Sequence, residues 1–159
     1  MSARQINNNK DRMMKAYWKG VVLALCFCLA IAPCQGKTKN IPYRVANGYF
    51  VRNDVKKVPT AKITSSQQFF SYFGCAPVMG KDGEPTRIDF QKEYVLAVCK
   101  PETWYSTELT PVSLRREKKN VIVFTYRVTK GEKQTYSINP CLMIIVSRQA
   151  KGKVVFRER

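Results

Sequence analysis

The sequence predicts an α+β domain, a mainly antiparallel β-sheet or partly closed barrel of about seven strands with one short helix packed on it. Three observations carry this expectation. The apolar runs after residue 88 are short, rich in β-branched and aromatic residues, and separated by brief polar breaks. Only the segment around Phe69, Phe70 and Phe73 has helical spacing. The chain has 159 residues, 45% hydrophobic and 25% charged, which suits one globular domain rather than a disordered chain.

Residues 1–36 read as a leader and 37–159 as a single β-rich domain. Arg12, Lys15 and Lys19 form a positive region, and Val21–Ala32 is an uncharged run of twelve. A membrane span needs about 20 residues, so this run suits the core of a signal peptide. Cys34-Gln35-Gly36 has small residues at both ends, which places cleavage after Gly36. A cut after Ala32 fits less well, because Pro33 would follow it. Translation starting at Met13 or Met14 would still supply a whole leader. The rival reading lipidates Cys34, although Ile31-Ala32-Pro33 is a poor signal for that modification. Either route implies a periplasmic or secreted protein, or one lipid-anchored at the cell surface.

In the mature region, Tyr43–Ala46 and Tyr49–Arg52 flank Asn47-Gly48, the strongest short signal for a tight hairpin. Residues 53–59 read as a connector. Ser65 or Ser66 then opens the helix, with Gln68 completing a capping box three residues after Ser65. Phe69 and Phe73 fall on one helical face, and Gly74 is placed to end the helix. Cys75–Arg87, with two prolines and two glycines, reads as a long loop. Strands are expected at Glu93–Lys100, Val112–Arg116, Val121–Val128, Gln134–Ile138, Leu142–Val146 and Val154–Phe156. Lys130-Gly131-Glu132 reads as a tight turn between two of them.

The chain contains no histidine. That excludes a Ser-His-Asp triad, a Cys-His pair and a HExxH zinc site. Asp89 and Glu93 lie four apart but across a strand start, and they read as solvated rather than as a catalytic pair. No glycine-rich phosphate loop is present. The sequence therefore predicts a protein that is not an enzyme and has no cofactor and no metal site.

Six cysteines occur: Cys26, Cys28, Cys34, Cys75, Cys99 and Cys141. The last three lie in the mature region, which allows one internal disulfide and an odd thiol. Cys99 lies inside the apolar run EYVLAVCK and is expected to be buried and reduced. Cys75 and Cys141 each follow an element boundary, so the expected bridge is Cys75–Cys141. By the chain-entropy relation it would stabilise the fold by roughly 4 kcal/mol.

Residues 37–159 carry 23 basic and 10 acidic side chains, a net charge of +13. That balance favours anionic partners. The charges are spread along the chain, however, and no RNP, KH or zinc-finger pattern occurs, so no nucleic-acid partner is predicted. The expected contact site is a loop, 101–108, with Glu102, Thr103, Trp104 and Tyr105 at its centre. Aromatics outside the apolar runs, presented by a rigid sheet, are typical interface anchors. The competing reading folds Trp104 back over the sheet edge.

The run Ile88-Asp89-Phe90-Gln91-Lys92-Glu93-Tyr94-Val95-Leu96-Ala97-Val98 resembles a signature of the PrcB-type, protease-complex-associated domain. The preceding helix SSQQFFSYF and the later run Thr135–Ile145 are similar to that family's helix and closing strand. The likeness spans about residues 62–150 and extends to small exported proteins of Bacteroides-type bacteria. The family's glycine-bearing TGGY-like loop is missing between Lys100 and Glu108, so nothing that loop does is carried over. The resemblance implies an exported, protease-associated interaction module or protease inhibitor. The charge supports an alternative, a periplasmic or cell-surface binder of an anionic glycan or lipid. In neither reading does the protein touch a membrane except through a lipid at Cys34.

Overall fold

Two runs of the sequence, Glu93–Cys99 and Cys141–Ser147, are apolar at almost every position. Side chains on a strand alternate between faces, so such runs are satisfied only where both faces are covered. The computed structural model describes residues 38–56, 58, 60–76, 83–118 and 120–159, and it places these two strands at the centre of the fold. The expected leader, with Cys34, lies outside the described residues.

Ten strands and one helix are described: β1 (Lys39–Asn40), β2 (Tyr43–Val45), β3 (Tyr49–Val51), β4 (Ala61–Ile63), α1 (Ser66–Tyr72), β5 (Phe73–Cys75), β6 (Glu93–Cys99), β7 (Thr103–Lys118), β8 (Val121–Ile138), β9 (Cys141–Ser147) and β10 (Lys153–Glu158). They form a central sheet in the order β2-β9-β6-β4, an outer sheet β1-β7-β8-β10, and a small sheet β3-β5. The α+β, β-rich character is as expected. The strand number exceeds the seven expected, and neither four-stranded sheet closes into a barrel.

β6 and β9 pair antiparallel from Glu93↔Ser147 to Cys99↔Cys141. Tyr94, Leu96, Val98, Leu142, Ile144 and Val146 point to one face. There they pack on Leu114 of β7 and on Ile122, Phe124 and Tyr126 of β8. Val95, Ala97, Met143 and Ile145 point to the other face, against Val51, Ile63, Phe69 and Phe73. Tyr94 is fully buried, and its hydroxyl donates to the Ala150 carbonyl at 3.0 Å, so its polar end is satisfied. Burial pushes the Tyr94 phenol above its ordinary pKa.

β10 runs parallel to β8, from Lys153↔Val121 to Glu158↔Tyr126. Parallel neighbours need a crossover. Here β9 supplies it by crossing in the other sheet.

The helix forms as its residues dictate. The Ser65 hydroxyl accepts from the Gln68 amide at 3.2 Å, and the side chain of Gln68 reaches back to the Thr64 amide. Phe69 and Phe73 are buried, whereas Phe70 is 47% exposed. The end of the helix differs from expectation. Phe73 is the cap and is already extended, so β5 follows at once. Gly74 lies in that strand beneath the Phe50 ring, where a Cβ would come within 2.6 Å of the ring. It is a packing glycine, not a left-handed stop.

Asn47-Gly48 is a corner, not a hairpin. A type I′ turn requires positive φ at both residues, and among the described residues only Gly48 (φ +77°) and Gly152 have it. β2 therefore joins β9, while β3 joins β5. Asn47 and Thr86 hold the corner, the Asn47 amide donating to Thr86 Oγ1 and the Thr86 amide to the Asn47 carbonyl, both at 3.0 Å. A Cβ at Gly48 would lie 2.7 Å from Pro85 Cα.

Residues 103–108 of the expected loop 101–108, and the expected turn at Lys130–Glu132, are strand. Thr103–Lys118 and Val121–Ile138 pair as one long, bent ribbon. Bulges in β8 absorb the Gly131 region, so the sequence's turn signal becomes a bend within a continuous ladder.

Replacing Phe69 by Ala should cost about 3–5 kcal/mol, the range for emptying a buried aromatic site. Phe70→Ala should cost less than about 1 kcal/mol, since an exposed site is nearly neutral. Urea denaturation of the two variants measures both.

Candidate protein-interaction site

The ribbon β7–β8 has two halves of different character. Near Lys118 and Val121 it buries Leu114, Ile122 and Phe124 against the central sheet. Its opposite end is irregular. Thr103 faces Ile138, Tyr105 faces Lys133 and Thr107 faces Lys130, so two steps on β7 match five and then three on β8. Extra residues on one strand bend the ribbon and strengthen its twist. Strands approach closely there, and a Cβ at Gly131 would lie 3.2 Å from the Ser106 Cβ.

At this bend three aromatics face solvent: Trp104 at 53% exposure, Tyr105 at 38% and Tyr136 at 58%. Side-chain hydrogen bonds fix the backbone beneath them. Thr103 Oγ1 accepts from the Tyr105 amide at 3.2 Å, and the Thr107 hydroxyl donates to the Tyr105 carbonyl at 3.0 Å. The Ser137 hydroxyl donates to the Glu102 carboxylate, tying the two strand ends together. Lys130 Nζ stands 3.6 Å above the Tyr105 ring, a cation–π contact.

Of the four residues expected at the contact site, Glu102 precedes β7, while Thr103, Trp104 and Tyr105 begin that strand rather than lying in a loop. Trp104 is 53% exposed. Tyr136 and Lys130 join from β8. Sequence reasoning missed them because Tyr136 sits in a period-two run and Lys130 in a turn-like triplet, and neither pattern reports the bend that pairs them with β7.

Below the bend lies a cleft of about 390 Å³, lined among others by Arg52, Lys56, Cys99, Lys100, Glu102 and Asn139. Two of its cations have carboxylate partners. Arg52 forms a bidentate pair with Asp54 at 2.8 and 3.0 Å, and Lys100 Nζ is 2.5 Å from Glu158. The hydrogen bond from Lys100 holds the Glu158 carboxyl below its ordinary pKa, and the same bond raises that of Lys100. Asp89 and Glu93, expected to be solvated, are engaged at the strand entrance. The Asp89 amide donates to Glu93 Oε2 at 3.1 Å, and Glu93 pairs with Arg44 at 2.8 Å.

The cysteines are arranged differently from expectation. Cys75 is exposed on β5, opposite Tyr49 in the small sheet. Cys141 instead faces Cys99 directly across β9 and β6, with the two sulfurs 2.7 Å apart. The expected Cys75–Cys141 pairing gives way to this one because strand register, not position at an element's end, decides which side chains meet. The hydrogen bond with Cys99, and after it burial, raise the pKa of the Cys141 thiol above its usual value.

No family model matches the chain, nor does any curated protein or solved structure.

The lowered Glu158 pKa has a signed consequence. The folded carboxylate holds its proton less tightly than the unfolded one. The stability from the Lys100–Glu158 pair is therefore present above the ordinary carboxylate range and is lost as pH falls through the lowered value. Thermal melts of wild type and Glu158→Gln from pH 7 to pH 3 should differ most at neutral pH and converge in acid. The difference should shrink in high salt, because the pair is partly solvated.

Proposed function

We propose that this protein is an exported, non-enzymatic protein-interaction module that engages its partner through the aromatic bend of the β7–β8 ribbon. The observation that carries this reading is the exposure of Trp104, Tyr105 and Tyr136 at one end of the ribbon, where hydrogen bonds from the Thr103 and Thr107 side chains hold the β7 backbone. Rigid aromatic anchors bury much area on binding and lose little conformational freedom, which is why they dominate interface energetics. The resemblance of Ile88–Val98 to the PrcB-type domain supports a protease as the partner, with the protein as its associate or inhibitor. The leader-like segment 1–36 supports export.

The net charge of +13 over residues 37–159 favours a second reading, a binder of an anionic glycan or lipid headgroup. The cleft adds little to it, since Asp54 and Glu158 already pair with Arg52 and Lys100. The two readings separate by salt. Complexes anchored by buried aromatics hold their affinity as ionic strength rises, whereas attraction between exposed charges is screened.

Trp104→Ala should weaken the partner complex by about 2 kcal/mol or more while moving the thermal midpoint little. Capture from the cell's own secreted proteins, followed by titration, measures the first effect, and calorimetry the second. A large drop in the midpoint instead would make Trp104 a core residue. On export, the tagged full-length chain should lose roughly 3–4 kDa, the mass of a secretory peptide with a short extension.

A further inference from the structure

Cys99 ends β6 and Cys141 begins β9, in direct register. The next pair outward is Lys100 and Pro140, and there the Lys100 amide donates to the Pro140 carbonyl at 2.9 Å. Antiparallel pairs alternate between hydrogen-bonded and non-hydrogen-bonded positions, so Cys99 and Cys141 occupy a non-hydrogen-bonded one. The Cα atoms of such a pair lie about 4.5 Å apart, inside the range a disulfide spans. Both side chains point to the face shared with Val95, Ala97, Met143 and Ile145, and their sulfurs already touch. Cys99 is only half-buried and is also among the residues that line the cleft.

We propose that Cys99 and Cys141 are a cross-strand dithiol that closes to a disulfide by exchange with an external disulfide, leaving Cys75 as a thiol. The Cys99 thiolate attacks the external disulfide, forms a mixed disulfide and expels one thiol. Cys141 gives up its proton and attacks the Cys99 sulfur, which expels the second thiol. Two S–H bonds are lost and one S–S bond forms. The two electrons and two protons leave on the external disulfide, which departs as two thiols.

The link has a structural consequence. The chain between the two cysteines holds the whole β7–β8 ribbon, so the disulfide clamps the root from which the aromatic bend rises. Ring closure of this kind removes freedom mainly from the unfolded chain. Cys75 cannot serve in place of Cys99, because it lies in the small sheet opposite Tyr49.

The test uses the full chain, equilibrated with oxidised and reduced glutathione, alkylated, and digested with trypsin without reduction. Glu93–Arg115 and Gln134–Arg148 should be recovered as one linked species, with Ile63–Lys81 carrying the alkyl label on Cys75. Reduction should lower Tm by about 10 °C or more, as expected for opening a ring of this size. Cys75→Ser should keep both the link and the shift. Cys99→Ser should lose the shift, and the wild-type digest decides the matter even if that variant folds poorly. Alkylation of both Cys99 and Cys141 under oxidising conditions would overturn the proposal. So would a link from either to Cys75 or to a leader cysteine.

Discussion

The fold rests on one constraint, the burial of the β6–β9 pair on both faces. Tyr94, Leu96 and Val98 need a cover on one side, and Val95 and Ala97 need one on the other. No single layer can provide both. The chain therefore builds an outer sheet over the first face, and α1 with the β3–β5 sheet over the second. The remaining members of the central sheet, β2 and β4, are three residues each. Short edges of this kind bring little exposed ladder to the surface.

That constraint also produces the candidate site. β6 leads directly into β7, and β8 leads directly into β9, so the two central strands carry the ribbon on their ends. The ribbon must bend back to lay Leu114, Ile122 and Phe124 on the central sheet. The bend costs regular register: the largest mismatches fall between Thr103 and Thr107, with further shifts at Pro111/Ser113 and Arg116/Lys118. Residues at the bend have no layer beneath them to bury an aromatic ring. Trp104, Tyr105 and Tyr136 consequently remain at the surface, above a cleft whose walls are the connector after β3 and the segment after β6. The exposed aromatics and the core are two results of the same folding-back.

Much of this was legible in the sequence where a signal is local. Ser65 with Gln68 marks the start of the helix, because a capping box is completed within four residues. The apolar runs mark β6 and β9, because burial on both faces leaves polar residues only at the ends, Glu93 and Ser147. What depends on long-range register was not legible. Asn47-Gly48 has the composition of a hairpin, but its flanking strands find better partners in β9 and β5. Lys130-Gly131-Glu132 has the composition of a turn, but the ladder continues through it as a bulge. Cys99 looks like a small buried hydrophobe until Cys141 is placed opposite it. The candidate segment, Glu102 to Tyr105, could be named because aromatics outside an apolar run stand out. Their companions Tyr136 and Lys130 could not, since only the bend brings them near.

A two-faced core thus carries a bent, solvent-facing ribbon end. Native-state hydrogen exchange distinguishes the two parts, because amide protection reports local opening segment by segment. The amides of Val95–Val98 and Leu142–Val146 should exchange last, at the rate of global unfolding. Those of Trp104–Thr107 and Lys130–Tyr136, held only by the ribbon's own two strands and the Thr103 and Thr107 side chains, should exchange sooner than the core while staying protected relative to an unfolded chain. Equal protection along the whole of β7 and β8, or early exchange in β6 and β9, would contradict this division.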